Sequence, residues 1–190
     1  MENQTISVVT GANGFVGSHL VDLLLNKGHV VRVIVRKTSN MRWLEGKNIE
    51  KYDCGLFDKE GLKTAFENAD YVFHVAGVVK AKTPEGYYQG NVETTRTLLE
   101  ALNESNHNLK KLVVVSSQTA VGPSPDGINI DETYPPNPIT NYGKSKQEQE
   151  KLVLSYKDKL PFTICRAPAV YGQRDTEIFL IFKSFKQGLM

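Results

Sequence analysis

The chain alternates between two hydrophobic patterns. Short runs rich in β-branched residues, such as residues 30–35, are followed by longer segments in which apolar residues recur at helical spacing. Runs of this length and composition are typical of strands in a parallel sheet that is covered on both faces. The alternation predicts an α/β fold with a doubly wound parallel sheet, Rossmann-like, in three layers α/β/α.

Six strands and five helices follow from this pattern. The strands are predicted near residues 6–9 and at residues 29–35, 49–52, 70–75, 112–115 and 162–165. The helices are predicted at residues 15–26, 59–68, 87–103, 141–156 and 178–185. Residues 122–138 are rich in proline and show no periodicity, so we expect a long irregular loop that forms a binding surface.

Three regularly spaced glycines join the first strand to the first helix. Gly11, Gly14 and Gly17 lie in the sequence TGANGFVG. This spacing lets the chain turn sharply, brings bare backbone close to a ligand and packs the new helix tightly against the strand. The helix N-terminus also offers unpaired N–H groups and a partial positive charge. The segment therefore predicts a site for the pyrophosphate of a dinucleotide.

Composition and charge exclude several other classes of protein. The formal net charge is +2, from 23 basic and 21 acidic residues, which predicts no binding to nucleic acid or to an anionic membrane. No apolar run approaches the length of a membrane span, and the first residues do not resemble a signal peptide. Cys54 and Cys165 lie far apart and the histidines lack ligand spacing, so we expect a cytoplasmic protein without a metal site.

Polar residues fall at predicted strand ends or helix starts, where a doubly wound sheet binds its ligand. Ser117 follows the fifth strand, and Tyr142 and Lys146 open the next helix in a Y-x-x-x-K pattern. Because Tyr142 and Lys146 share one helix face, the ammonium group is expected to lower the pKa of the phenol. Such a set suits proton transfer to or from an alcohol or ketone while a hydride moves to or from nicotinamide.

With these residues the chain resembles the extended short-chain dehydrogenase/reductases, specifically the NAD(P)-dependent epimerase/dehydratase family. The motifs that carry the resemblance are TGANGFVG at 10–17, HVAG at 74–77, VSS with a later glycine at 115–122, YGKSK at 142–146 and RAPAVYG at 166–172. The resemblance implies that residues 1–190 form an NAD(P)-binding Rossmann-like domain. It also implies the N-terminal part of a longer enzyme, whose C-terminal substrate lobe is truncated here.

The resemblance assigns roles to individual residues. Ser117 orients the substrate oxygen, Tyr142 is the acid/base, and Lys146 binds the nicotinamide ribose and tunes Tyr142. Residues 74–77 line the cofactor cleft, and Asn91 lies in a helix packed against the active site. The residues expected to bind the cofactor are Gly11, Asn13, Gly14, Phe15, Val16, Arg36, Lys37, Val75, Ala76, Gly77, Tyr142 and Lys146.

The chain departs from the family pattern at positions that bear on cofactor fit. Gly55 stands where many members carry an aspartate that contacts adenine, which leaves Asp53 or Asp58 as substitutes. Thr94 replaces the glycine of the family's N-x-x-G-T motif, and Val121 replaces a tyrosine. None of these changes touches the Ser–Tyr–Lys set, so they affect cofactor and substrate rather than the class of chemistry.

The residues after the second strand predict which cofactor is preferred. A carboxylate about 20 residues past the glycine turn binds the ribose hydroxyls and selects NAD. Here Arg36 and Lys37 occupy that place, and no acidic residue follows until Glu45. A guanidinium binds a 2′-phosphate bidentately and a second cation strengthens the site, so we expect NADP in preference to NAD. The alternative is that both side chains belong to a solvated loop.

Three functions remain open from the sequence. The first is an epimerase or dehydratase that acts on a secondary alcohol or ketone of a nucleotide sugar. The second is an NADP-dependent ketone reductase of the dihydroflavonol-reductase or 3β-hydroxysteroid-dehydrogenase type. The third is a regulator that binds a dinucleotide without turnover, which does not need an intact Ser–Tyr–Lys set. The expected partners are a small-molecule substrate and, through residues 93–101 and 145–156, a second copy in a homodimer.

Overall fold

The computed structural model of the chain describes residues 4–106 and 108–189. Six strands form one sheet within this part of the chain. They are β1 (Ile6–Thr10), β2 (Val30–Ile34), β3 (Glu50–Tyr52), β4 (Tyr71–His74), β5 (Lys111–Ser117) and β6 (Phe162–Ala167). Neighbouring strands are parallel, in the order β3-β2-β1-β4-β5-β6. The chain changes direction across the sheet between β1 and β4, and ligands of such sheets bind at this switch point.

Helices connect the strands. They are α1 (Phe15–Asn26), α2 (Lys59–Phe66), α3 (Pro84–Tyr88), α4 (Thr94–Ser105), α5 (Asn141–Leu154) and α6 (Ile178–Lys186). Side-chain oxygens of Asp58 and Thr140 accept hydrogen bonds from backbone N–H groups in the first turns of α2 and α5, which fixes where these helices begin. None of the described helices is long and apolar enough to cross a membrane.

Apolar side chains cover both faces of the sheet. Val8 enters a cluster with residues of α2, α4 and α5, whereas the next residue, Val9, enters a cluster with residues of α1 and with Leu44. Successive side chains of a strand point to opposite faces, so two adjacent valines fill two separate cores. This arrangement confirms the predicted doubly wound sheet in three layers.

The predicted strands and helices differ from the structure mainly at their ends, and one difference moves a site residue. Ser117 was expected to follow the fifth strand, but it is the last residue of β5. The strand is longer than predicted because Ser116 pairs with Arg166 and Ser117 pairs with Ala167 of β6. Polar residues at a strand end carry no periodic signal, so only the pairing with β6 shows them to be part of the sheet.

The predicted continuous helix over residues 87–103 is interrupted. The chain runs from α3 through a π-helical turn, Gln89–Glu93, into α4. Threonine hydroxyls bind to backbone carbonyls of this turn: Thr94 donates to the carbonyl of Gly90 at 2.8 Å and Thr95 to that of Asn91 at 2.6 Å. Single π turns of this kind occur often at functional sites.

The register of the strands brings several chain segments to one edge. Thr10 at the end of β1 pairs with Ile34 of β2 and with His74 of β4. Because all strands are parallel, the glycine turn after β1, the loops after β2 and β4, and Ser117 lie at the same edge of the sheet.

Candidate active site

A cavity of about 940 Å³ opens at this edge. It brings together most residues proposed from the sequence. Those that line it are Gly11, Asn13, Gly14, Phe15, Val16, Arg36, Val75, Ala76, Gly77, Ser117, Tyr142 and Lys146. Lys37 is exposed and is not among the lining residues. The glycine turn and the Ser–Tyr–Lys set, far apart in sequence, therefore share one cavity.

Two of the three glycines are required by close backbone contacts. Gly11 has φ +67°, and a Cβ atom there would lie 2.7 Å from the backbone nitrogen of Ala76. A Cβ atom on Gly17 would lie 2.2 Å from the carbonyl oxygen of Gly11. Neither contact can be relieved by a side-chain movement, because the atoms involved belong to the backbone.

Gly14 has a different role, since it is exposed and its φ is −84°. It is the N-cap of α1, and no side chain caps the helix there. The first N–H groups of α1 are consequently available to a ligand in the cavity, which Gly14 lines. A helix N-terminus without a capping side chain, beside a glycine turn, fits the pyrophosphate of a dinucleotide.

Tyr142 lies in the first turn of α5 and lines the same cavity as Ser117. Ser117 Oγ already accepts bonds from the backbone nitrogen of Thr119 at 3.3 Å and from Thr119 Oγ1 at 2.9 Å. Burial raises the pKa of Tyr142, and the neighbouring Ser117 hydroxyl opposes that effect. The lowered pKa expected from Lys146 is therefore not found in this structure.

Lys146 lies one turn further along α5 and is only 2% exposed. Its Nζ donates to the carbonyl oxygen of Val115 at 2.8 Å. Burial lowers the pKa of Lys146 to about 8, and the negative charge of Glu150 acts in the opposite direction. A lysine with this pKa is still largely protonated at neutral pH and can act as a local positive charge.

Asn91 connects three parts of the site. It lies in the π-helical turn, and its Nδ2 donates to Ser145 Oγ on α5 at 2.9 Å. The same carboxamide bonds both backbone groups of Val78, in the loop after β4. The family resemblance implies a position for Asn91 near the active site, but these contacts were not predicted from the sequence.

His74 was expected to line the cavity with residues 75–77, but it is fully buried and is not among the lining residues. Its ring nitrogens lie 2.8 Å from Thr10 Oγ1 and 2.9 Å from Thr95 Oγ1. Burial lowers the pKa of His74 to about 3, so the ring is neutral. Because the Thr95 hydroxyl donates to the Asn91 carbonyl, His74 Nε2–H donates to Thr95 and Nδ1 accepts from Thr10. This network was not predicted from the sequence.

The far end of the cavity lies beside the loop after β2. Arg36 is exposed there, its backbone nitrogen donates to Ser39 Oγ at 3.0 Å, and it pairs across an isolated bridge with Cys54. Gly55 also lines this end. Neither candidate aspartate does: Asp58 caps α2, and Asp53 lies 4.0 Å from Lys51. In the loop after β2, Arg36 is the charged residue that lines the cavity.

The strand order, the glycine turn and the cavity are typical of dinucleotide-binding α/β domains. The model of the NAD dependent epimerase/dehydratase family matches residues 7–187. The chain belongs to this family.

Relatives of this chain act on different substrates. It is 30% identical over 178 residues to a ceramide reductase of Caulobacter vibrioides, covering 94% of this chain and 50% of the relative. It is 34% identical over 153 residues to a UDP-glucose 4-epimerase of Dictyostelium discoideum, covering 73% of this chain and 43% of the relative. The chain thus spans about half the length of these curated relatives.

Solved structures share the fold. The UDP-glucuronic acid 4-epimerase from Bacillus cereus, in complex with NAD, superposes with a TM-score of 0.84 at 28% identity. The match covers 97% of this chain and 63% of that chain.

Proposed function

We propose that this chain is the dinucleotide-binding and catalytic part of an NAD(P)-dependent oxidoreductase that acts on a secondary alcohol or ketone. The observation that carries the proposal is that Ser117, Tyr142 and the buried Lys146 line the same cavity as the glycine turn. A structural role alone does not require a tyrosine, a serine and a buried lysine at one cavity wall. A regulator that only binds a dinucleotide would not need them either.

The residues present fit a dinucleotide. The turn at Gly11 and Gly17 leaves no room for side chains, and the N-terminus of α1, which no side chain caps, offers N–H groups to a ligand. Val75–Gly77 lines the cavity next to Gly11. When bound there, the nicotinamide ring accepts or supplies the hydride.

The side chains of the site handle the proton. Since burial raises the pKa of Tyr142, the phenol keeps its proton at neutral pH and can donate it to the oxygen of a ketone. Ser117 donates a hydrogen bond to the same oxygen and holds it beside Tyr142. Lys146 supplies a positive charge that stabilises the phenolate left behind. In the reverse direction, the phenolate accepts the proton of an alcohol.

For the cofactor we propose a preference for NADP over NAD. Arg36 lines the cavity in the loop after β2, where the adenosine ribose would lie, and neither Asp53 nor Asp58 lines the cavity. A free guanidinium binds a 2′-phosphate bidentately, whereas NAD offers it only hydroxyl groups. Lys37 would add a second positive charge from outside the cavity lining.

For the substrate we propose a nucleotide sugar first, since an epimerase is among the relatives. A second candidate is an apolar ketone. Val78, Val79, Val170 and Ile178 line the cavity, and a reductase of a lipid is also among the relatives. Four further expectations from the sequence stay predictions. They are that residues 1–190 form one domain, that the protein forms a homodimer, that it does not bind nucleic acid, and that it is located in the cytoplasm.

The test is a substrate screen on the longest available form of the protein. Absorbance of reduced nicotinamide reports ketone reduction, and interconversion of sugar nucleotides is followed separately. Tyr142→Phe should lower turnover by about two to four orders of magnitude and leave cofactor affinity nearly unchanged. Tyr156→Phe, which removes a hydroxyl further along the chain and away from the cavity lining, is the matched control. Unchanged turnover in Tyr142→Phe would refute the assignment.

A further inference from the structure

Glu150 is a buried carboxylate beside the proposed site, and the reaction as described does not use it. It lies one helical turn beyond Lys146 on α5 and is only 3% exposed. Ser116 Oγ donates to its Oε1 at 2.5 Å. Arg166 donates to it from Nε, at 3.1 and 3.2 Å, and from Nη2 at 2.8 Å. Burial of a carboxylate is costly, and these four bonds offset that cost.

The partners of Glu150 come from the sheet rather than from its own helix. Ser116 of β5 and Arg166 of β6 are direct neighbours in the strand register. The carboxylate therefore joins α5 to two strands at once.

Two consecutive residues of β5 form hydrogen bonds with residues of α5. The bonds join Val115 to Lys146 and Ser116 to Glu150, and the next residue of the strand, Ser117, lines the cavity together with Tyr142. The contact of Glu150 is the one outside the proposed catalytic set. It fixes the position of the helix that carries Tyr142 and Lys146 relative to the strand that carries Ser117.

Glu150 also acts on Lys146 through its charge. Residues four apart on a helix lie on the same face, about 5–6 Å apart at their Cβ atoms. The other titratable groups around Lys146 are His74, whose ring is neutral, and Tyr142, which keeps its proton. Arg166 is bound to Glu150, and Glu132 lies near Arg166. Glu150 is thus the one negative charge among the described residues that acts on the Lys146 ammonium.

We propose that Glu150 is a positioning residue, which anchors α5 on the end of β5 and holds a negative charge beside the ammonium group of the buried Lys146. A role of Glu150 in catalysis rests on the proposed function. The effect of Glu150 on proton binding by Lys146 does not depend on that function, and it can be measured without turnover.

The test is an NMR titration of the chain labelled with ¹³C at lysine Cε, with the Lys146 signal assigned by its loss in Lys146→Met. In Glu150→Gln the midpoint for Lys146 should fall by at least about half a unit, because an opposite charge nearby stabilises the ammonium form. Glu148→Gln is the matched control. It lies on the same helix but is exposed and pairs with Lys151, so its Lys146 midpoint should equal that of the wild type.

Glu150→Gln leaves the Arg166 guanidinium without its partner and can fail to fold. The double variant Glu150→Gln/Arg166→Met removes both charges together and decides the question in that case. A Lys146 midpoint below that of the wild type supports the proposal. A midpoint equal to that of the wild type in a folded variant lacking Glu150, or an equal fall in Glu148→Gln, overturns it. A failed substrate screen would refute the proposed function without changing this result.

Discussion

The carboxamide of Asn91 forms two hydrogen bonds with the backbone of a single residue, Val78. Val78 N–H donates to Oδ1 at 2.7 Å, and Nδ2 donates to the Val78 carbonyl at 3.1 Å. The Asn91 side chain thus bonds both the N–H and the carbonyl group of one residue in the loop after β4, as the backbone of a neighbouring β-strand does. Since Nδ2 also donates to Ser145, the π-helical turn holds both walls of the cavity together.

Asn91→Asp should destabilise the chain. The substitution keeps an acceptor for Val78 N–H, but it replaces the donor to the Val78 carbonyl and Ser145 with an oxygen in a buried place. We expect a loss of about 3 kcal/mol in the free energy of unfolding. Urea unfolding followed by circular dichroism measures it. Asn129→Asp, at an exposed loop position, is the control and should change stability little. Equal stability of both variants would show that the Asn91 contacts are dispensable.

Replacement by alanine should affect the stability of the fold at Gly17 but not at Gly14. Gly17→Ala places a Cβ atom 2.2 Å from the Gly11 carbonyl oxygen, so the glycine turn must shift and the variant should be strongly destabilised. Gly14→Ala meets the same oxygen at 3.3 Å with an extended backbone, so the variant should keep its fold. Thermal unfolding compares the two. A Gly17→Ala protein as stable as the wild type would contradict the close contact.

Protonation of His74 should make the chain less stable in acid. The pKa of His74 falls from 6.5 to about 3 on folding, so the unfolded chain binds the proton more readily between these values. The stabilising contribution is complete above pH 6.5 and declines by about 1.4 kcal/mol for each pH unit below that, down to pH 3.

The measurement is unfolding in urea at a series of pH values, for the wild type and for His74→Gln. The variant lacks the titrating group, so it should be less stable at neutral pH but lose less stability on acidification. Parallel curves for the two proteins would mean that His74 does not titrate in this range.

Arg36→Ala should reduce cofactor discrimination. Loss of a bidentate guanidinium contact with a 2′-phosphate should weaken NADP(H) binding about tenfold or more and leave NAD(H) binding nearly unchanged. Titration calorimetry with both cofactors checks this. Arg42→Ala removes an equal charge from a side chain that stacks on Trp43 outside the cavity lining, and should change neither affinity. Equal affinities of the wild type for both cofactors would rule out a role for Arg36 in reading the phosphate.

The fold and much of the cavity follow from local sequence signals. Hydrophobic periodicity depends on neighbours in the chain, so it predicts strands, helices and the doubly wound sheet. The glycine spacing before α1 predicts the turn, because close backbone contact excludes any larger residue at Gly11 and Gly17. The four-residue spacing of Tyr142 and Lys146 places both on one helix face.

Only the tertiary structure determines which partners these residues contact, how deeply they are buried and how their pKa values shift. Several contacts of the site join distant parts of the chain, and no local sequence pattern predicts them. Examples are the contacts of His74 with Thr95, of Asn91 with Val78 and of Glu150 with Ser116. The direction of a pKa shift likewise depends on burial, which raises the pKa of Tyr142 although a lysine lies on the same helix face. Burial and partner choice are set when the sheet brings the ends of its strands together, and for that reason the sequence alone does not determine them.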